Sequence, residues 1–151
     1  MLEQTVDFLV DHARGGDALE LGIGTGRVAL PLAGRGVSVR GIDLSAPMVA
    51  RLRAKPGGAD IEVILDDFAH AKLAGSFRLA YLVFNTITNL TSQDEQVACF
   101  RNVADHLEPG GRFVIEVFVP ILQRLPRGET TRIFHQDAQG LSYDEYDVST
   151  Q

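Results

Sequence analysis

The chain has 151 residues, of which 14 are basic and 20 acidic, for a formal net charge of −6, and 45% of them are hydrophobic. That length fits one domain with a real core, and the acidic balance disfavours nucleic acid, whose phosphate backbone is gripped by basic patches. One cysteine, four scattered histidines and no apolar run near the ~18 residues of a membrane span exclude an internal disulfide, an evident metal site and a spanning helix.

Residues 3–14 have helical periodicity, and Gly15-Gly16 ends them. The acids in Leu2–Asp7 do not suit a signal peptide, which needs a basic start and an apolar core. A cytoplasmic protein is expected. Next, Ala18-Leu19-Glu20-Leu21 has the apolar character of a buried strand. It opens into Gly22-Ile23-Gly24-Thr25-Gly26, and Val28-Ala29-Leu30 starts a helix. Glycines belong where backbone turns sharply or approaches a ligand. A loop from strand end to helix start is the ligand crevice of a doubly wound sheet. The dinucleotide fingerprint is G-x-G-x-x-G/A, but the spacing here is G-x-G-x-G, with Arg27 in the sixth place. Pro31 removes an interior hydrogen bond, so a kinked or short helix is expected there.

Val37–Asp43 alternates like a half-buried strand and ends on Asp43, 23 residues after Glu20. An acid about 20 residues beyond such a loop can accept from both hydroxyls of a ribose. Ser45 is placed to cap a helix in which Met48, Val49 and Leu52 share one face. After Pro56-Gly57-Gly58, the strand Ile61–Leu65 runs into Asp66-Asp67-Phe68. Leu79–Phe84 is a continuous apolar run, as expected of a central parallel strand. It ends in Asn85-Thr86-Ile87-Thr88-Asn89, where polar residues sit beside a ligand in this architecture.

Ser92 and Glu95 form a capping box for a helix with Val97, Phe100, Val103, Ala104 and Leu107 at helical spacing. Cys99 shares that helix, and packing suits it better than reactivity. Pro109-Gly110-Gly111 is expected to stop the helix, with Arg112–Val119 as the next strand and Glu116 a partly exposed strand residue. Beyond Pro120 the βα rhythm ends. Thr131–His135 and Leu141–Asp147 have strand character, and Asp137-Ala138-Gln139-Gly140 supplies a turn. An antiparallel hairpin is expected there.

Alternating βαβ units imply a parallel sheet with right-handed crossovers. The expected fold class is α/β, a doubly wound Rossmann-like sheet of order 3-2-1-4-5 with a C-terminal hairpin. Residues 1–120 form the binding domain, and 121–151 begin a hairpin that is no independent domain.

The words Glu20-x-Gly22-x-Gly24-x-Gly26, Asp43-Leu44-Ser45-x-x-Met48, Asp67-Phe68 after a strand, and Leu107-x-Pro109-Gly110-Gly111 before one together resemble the class I S-adenosylmethionine-dependent methyltransferases. The resemblance covers residues 5–120. It implies a cofactor, S-adenosyl-L-methionine, held by Glu20, Gly22, Gly24, Gly26, Asp43, Leu44, Met48, Asp67, Phe68 and Asn85. Leu44 and Met48 would line the adenine, Asp67 would accept from its amino group, and the backbone at Phe68 would cap the ring. Asp66 stands where the family usually has glycine. The implied partner is a small-molecule methyl acceptor, an amine, hydroxyl or carbon nucleophile, with no nucleic acid and no membrane. No catalytic base is evident and no metal is implied. The resemblance also implies two further strands for which 151 residues leave no room, so a truncated chain is expected. The free edge of the fifth strand makes a homodimer plausible. His135, Tyr143 and Tyr146 are candidates for acceptor contacts if the hairpin walls off that site. The alternatives are an NAD(P)-dependent oxidoreductase, which Arg27 disfavours, and a cofactor-binding fragment without turnover.

Overall fold

The computed structural model describes residues 2–119, 125–137 and 140–145. The chain divides into two compact units, Met1–Val117 and Phe118–Gln151.

In the first unit the elements run α1 (Leu2–Ala13), β1 (Ala18–Leu21), α2 (Ala29–Gly34), β2 (Val39–Asp43), α3 (Ala46–Arg53), β3 (Glu62–Leu65), β4 (Phe77–Leu82), α4 (Gln93–His106) and β5 (Leu107–Ile115). The strands form one parallel sheet, as the βαβ rhythm implies, in the expected order β3-β2-β1-β4-β5. Both faces are covered. Val6 and Leu9 of α1, Ala29 and Leu32 of α2, and Val49 and Leu52 of α3 pack on one side against Ala18, Val39, Leu79 and Tyr81. Cys99 and Val103 of α4, with Phe68, Ala71 and Ile87, pack on the other against Leu19, Leu21, Ile42, Ala80 and Leu82. Alternation along each strand sends neighbours to opposite faces. Glu20 therefore shares its face with Ala18, not with Leu19 and Leu21.

Pro31 has the expected effect, leaving α2 only six residues long. The capping box of α4 is complete: Glu95 N–H donates to Ser92 Oγ and Ser92 N–H to Glu95 Oε2. Three local expectations change. First, α4 ends at His106, before Pro109, and Pro109-Gly110-Gly111 lies inside β5. The β4–β5 register jumps there, from Phe77 opposite Leu107 to Leu79 opposite Arg112. Proline has no N–H to give the ladder, and Gly110 takes φ +79°. A Cβ on Gly111 would meet the Glu108 carbonyl oxygen at 2.9 Å. The segment is a bulge, not a helix stop. Second, β5 ends at Ile115, with one further pairing, Glu116 N–H to the Leu82 carbonyl. Third, Ser45 occupies the N-cap of α3 without a side-chain cap bond, and its backbone N–H donates to Asp43 Oδ1 instead.

The β3–β4 connection is tied to α4 by a buried polar group. Asn102 Nδ2 donates to the carbonyls of Phe68 and Ala71, each at 3.0 Å. His106 accepts from Leu73 N–H at Nε2, so its Nδ1 carries the hydrogen and donates to the Asn102 carbonyl.

In the second unit, β6 (Thr131–Asp137) and β7 (Gly140–Glu145) pair antiparallel as a separate two-stranded sheet. The Gly140 N–H donates to Asp137 Oδ1, which supplies the turn. Its register shifts between Ile133 and His135.

Candidate cofactor cleft

Two cavities, of about 340 and 220 Å³, share Gly22, Gly24, Met48 and Thr86 in their walls. They are halves of one cleft at the C-terminal ends of β1, β2 and β4, the ligand position of an open α/β sheet. The larger half adds Asp43, Leu44, Ser45, Phe68 and Asn89. The smaller adds Glu20, Arg27, Val83 and Phe84, among others.

Gly22 and Gly24 form the shared floor, at φ +70° and +56°. A Cβ on Gly22 would meet Thr86 Cγ2 at 2.7 Å, and one on Gly24 would meet Met48 Cε at 2.9 Å. Only bare backbone leaves this floor open. Asp43 is 8% exposed and holds the loop in place: Oδ2 accepts from Gly24 N–H at 2.6 Å and Oδ1 from Ser45 N–H at 2.7 Å. An ionised carboxylate has about four acceptor positions, so capacity remains on the cleft side. Leu44 is 70% exposed and lines the larger cavity. With Met48 and Phe68 it makes an apolar slot beside that carboxylate.

The smaller half brings a buried carboxyl and a guanidinium together. Glu20 is buried and accepts from the Tyr81 hydroxyl at 2.9 Å. Burial pushes its carboxyl up to about 8. The Tyr81 hydroxyl, the Ala29 N–H and the Arg27 charge oppose that rise, and Asp43 adds to it. Arg27 stacks its guanidinium over the Phe84 ring. Phe84 and Asn85 both adopt left-handed backbone, at φ +60° and +58°, which is rare for an aromatic residue and concentrates at functional sites. The Phe84 N–H donates to Glu116 Oε2, so Glu116 anchors this turn from the exit of β5.

Glu20, Gly22, Gly24, Asp43, Leu44, Met48 and Phe68 thus come together in the cleft. The other expected residues occupy different places. Gly26 is buried against α2 and α3, where a Cβ would meet Leu52 Cδ1, so it serves packing. Asp67 turns onto its own loop and accepts from Ala69 N–H at 2.8 Å. Asn85 caps a 3-10 turn, Thr86–Asn89, with its amide on Thr88, and Thr86 and Asn89 supply that part of the wall instead. Of the hairpin candidates, His135 pairs with Asp137 within the hairpin, Tyr143 is exposed, and Tyr146 lies outside the described residues. Arg27 and Phe84, which the sequence motifs do not single out as ligand contacts, also line the cleft. Arg27 stands in the loop motif itself, so its charge beside Glu20 was available as a signal.

A family model for the methyltransferase domain matches residues 18–111. The chain belongs to the class I S-adenosylmethionine-dependent methyltransferases. The cypemycin N-terminal methyltransferase of a Streptomyces species is 32% identical over 106 residues, which are 70% of this methyltransferase chain and 43% of that protein. The CcbJ methyltransferase from Streptomyces caelestis superposes with a TM-score of 0.81 at 37% identity, over 94% of this chain and 59% of that one. A glycopeptide N-methyltransferase, MtfA, solved with S-adenosyl-L-methionine shares the fold, with a TM-score of 0.67 at 24% identity over 74% of this chain and 48% of that one. The methyltransferase chain described here therefore spans less than two thirds of the length of each.

Proposed function

We propose that this cleft holds S-adenosyl-L-methionine and that the protein transfers its methyl group to an amine on a small molecule. One observation carries the reading: the Asp43 carboxyl group beside an apolar slot at one end, and the Glu20 carboxyl group and a guanidinium together at the other. Asp43 would accept from the ribose hydroxyls. Leu44, Met48 and Phe68 would enclose the adenine. Glu20 and Arg27 would take the ammonium and the carboxylate of the amino-acid tail. Gly22 and Gly24 would let the backbone lie against the sulfur. Asp67 and Asn85, as assigned by the resemblance, would contact the cofactor only after turning from their present partners. When bound, this group supplies an electrophilic methyl on a sulfonium.

The chain's own part is to hold two reactants in line, a contribution that can reach several kcal/mol of the barrier. A base is needed only for a nucleophile that arrives protonated. The choice of an amine rests on the printed name of the cypemycin relative, and fold similarity alone would not support it. The outer edge of β5, unpaired among the described residues, favours a homodimer.

Calorimetric titration with S-adenosylhomocysteine and with NAD, on one preparation, tests the reading. Binding of the first and not the second is expected. Preference for NAD would overturn it in favour of an oxidoreductase. Binding of S-adenosylhomocysteine without transfer to any amine tried would leave a cofactor-binding fragment.

A further inference from the structure

Glu20 and Tyr81 are register partners on the adjacent parallel strands β1 and β4, so their side chains stand next to each other on one face of the sheet. Tyr81 is fully buried and Glu20 is 3% exposed. The hydroxyl donates to Glu20 Oε2, while Glu20 forms part of the cavity wall. Tyr81 itself is absent from that wall, so anything it does for a cavity occupant must pass through Glu20. The other groups facing this carboxyl are Arg27 from the loop before α2, the Ala29 N–H of α2 and Asp43 of β2. The two nearest charges oppose each other in sign. A carboxyl removed from water prefers its neutral form, and burial prevails over the favourable partners, holding Glu20 at about 8. An ammonium entering the cavity requires the ionised form.

We propose that Tyr81 is a positioning residue for the cofactor's ammonium group: it fixes the Glu20 carboxylate, and cofactor entry expels the Glu20 proton to solvent. The proposal rests on reading the cleft as the S-adenosylmethionine site. Before binding, Glu20 carries one proton. Afterwards the carboxylate carries one negative charge shared by its two oxygens, with Tyr81 O–H donating to one and the ammonium to the pair. The released proton passes through the cleft to buffer. No covalent bond changes other than O–H.

Linkage fixes the sign. Burial raises the Glu20 carboxyl, so binding an ammonium there releases a proton and affinity falls as pH is lowered. The test is calorimetry of the full chain with S-adenosylhomocysteine between pH 6 and 7.5, in buffers of different ionisation enthalpy. In that window the tail amine stays an ammonium. 5′-Methylthioadenosine, which has no amino-acid tail, is the control. Close to one proton is expected to leave per S-adenosylhomocysteine bound, and none per 5′-methylthioadenosine. Tyr81→Phe should weaken S-adenosylhomocysteine on the order of tenfold and leave 5′-methylthioadenosine unchanged, a contrast that a merely structural role would not produce. Glu20→Gln, which has no proton to release, should abolish both the release and the pH dependence. Affinity independent of pH, with no proton released, would overturn the proposal and leave the cofactor reading standing. Equal weakening of both compounds by Tyr81→Phe would overturn the role of Tyr81. Wild-type protein that binds neither compound would remove both readings.

Discussion

Asp43 does two jobs with one carboxylate. Its oxygens already hold the N–H groups of Gly24 and Ser45, and the residue also lines the cleft. Asp43→Ala should therefore weaken S-adenosylhomocysteine by roughly 2–3 kcal/mol, the share of a charged hydrogen-bonding group, and also lower the melting temperature, because the glycine loop loses its anchor. Calorimetry and a thermal melt on the same variant read the two effects separately. Unchanged affinity would remove Asp43 from the site. Gly24 sits in left-handed backbone with Met48 Cε close by. The methionine tip can move, but the backbone conformation costs an L residue about 1–2 kcal/mol, and the new side chain would fill the cleft floor. Gly24→Val should abolish binding while far-UV circular dichroism stays native. Normal binding by that variant would mean that the loop has been misread.

Among the elements, the β3–β4 connection shows how a binding wall is held without regular structure. Phe68 lines the cleft, and its carbonyl is fastened to α4 through Asn102. Replacing Asn102 by Ala would orphan two carbonyls, those of Phe68 and Ala71. Unsatisfied buried groups cost about 1–3 kcal/mol. The expected outcome is a lower urea midpoint together with weaker binding of adenosine compounds, although Asn102 is not part of the cleft wall. Full retention of affinity would show that the loop is held by packing alone. The β5 bulge makes a related point. Pro-Gly-Gly was legible as a break, but whether a break stops a helix or deforms a strand depends on the neighbouring strand, here β4.

For the whole molecule, pH links folding to Glu20. Its carboxyl is raised in the folded state from the ordinary 4.5 to about 8, so the native state holds a proton that the unfolded state has lost. That contribution to stability is full below about 4.5 and declines as pH rises to 8. The ligand-free protein should show a urea midpoint that falls between pH 5 and 8, and Glu20→Gln should flatten the Glu20 share of that slope. Identical profiles for the two proteins would sink the assignment. Sequence alone determined the alternating strands and helices, the glycine loop, Asp43 at the end of β2 and the capping box of α4, because these depend on local pattern: periodicity, φ preference and short-range hydrogen bonds. It also carried the family resemblance, since Glu20-x-Gly22-x-Gly24-x-Gly26 and Asp43-Leu44-Ser45-x-x-Met48 are contiguous words. Tertiary structure decided which residues of those words face the cleft. Gly26 lies against Leu52, Asp67 accepts from its own loop, and Thr86 and Asn89 stand in the cavity wall with Asn85 at the N-cap of the turn that carries them. It alone paired Tyr81 with Glu20, 61 residues apart, and set Phe84 against Arg27. Such pairs arise from strand register and loop closure across the sheet, and no local signal in either segment encodes the other.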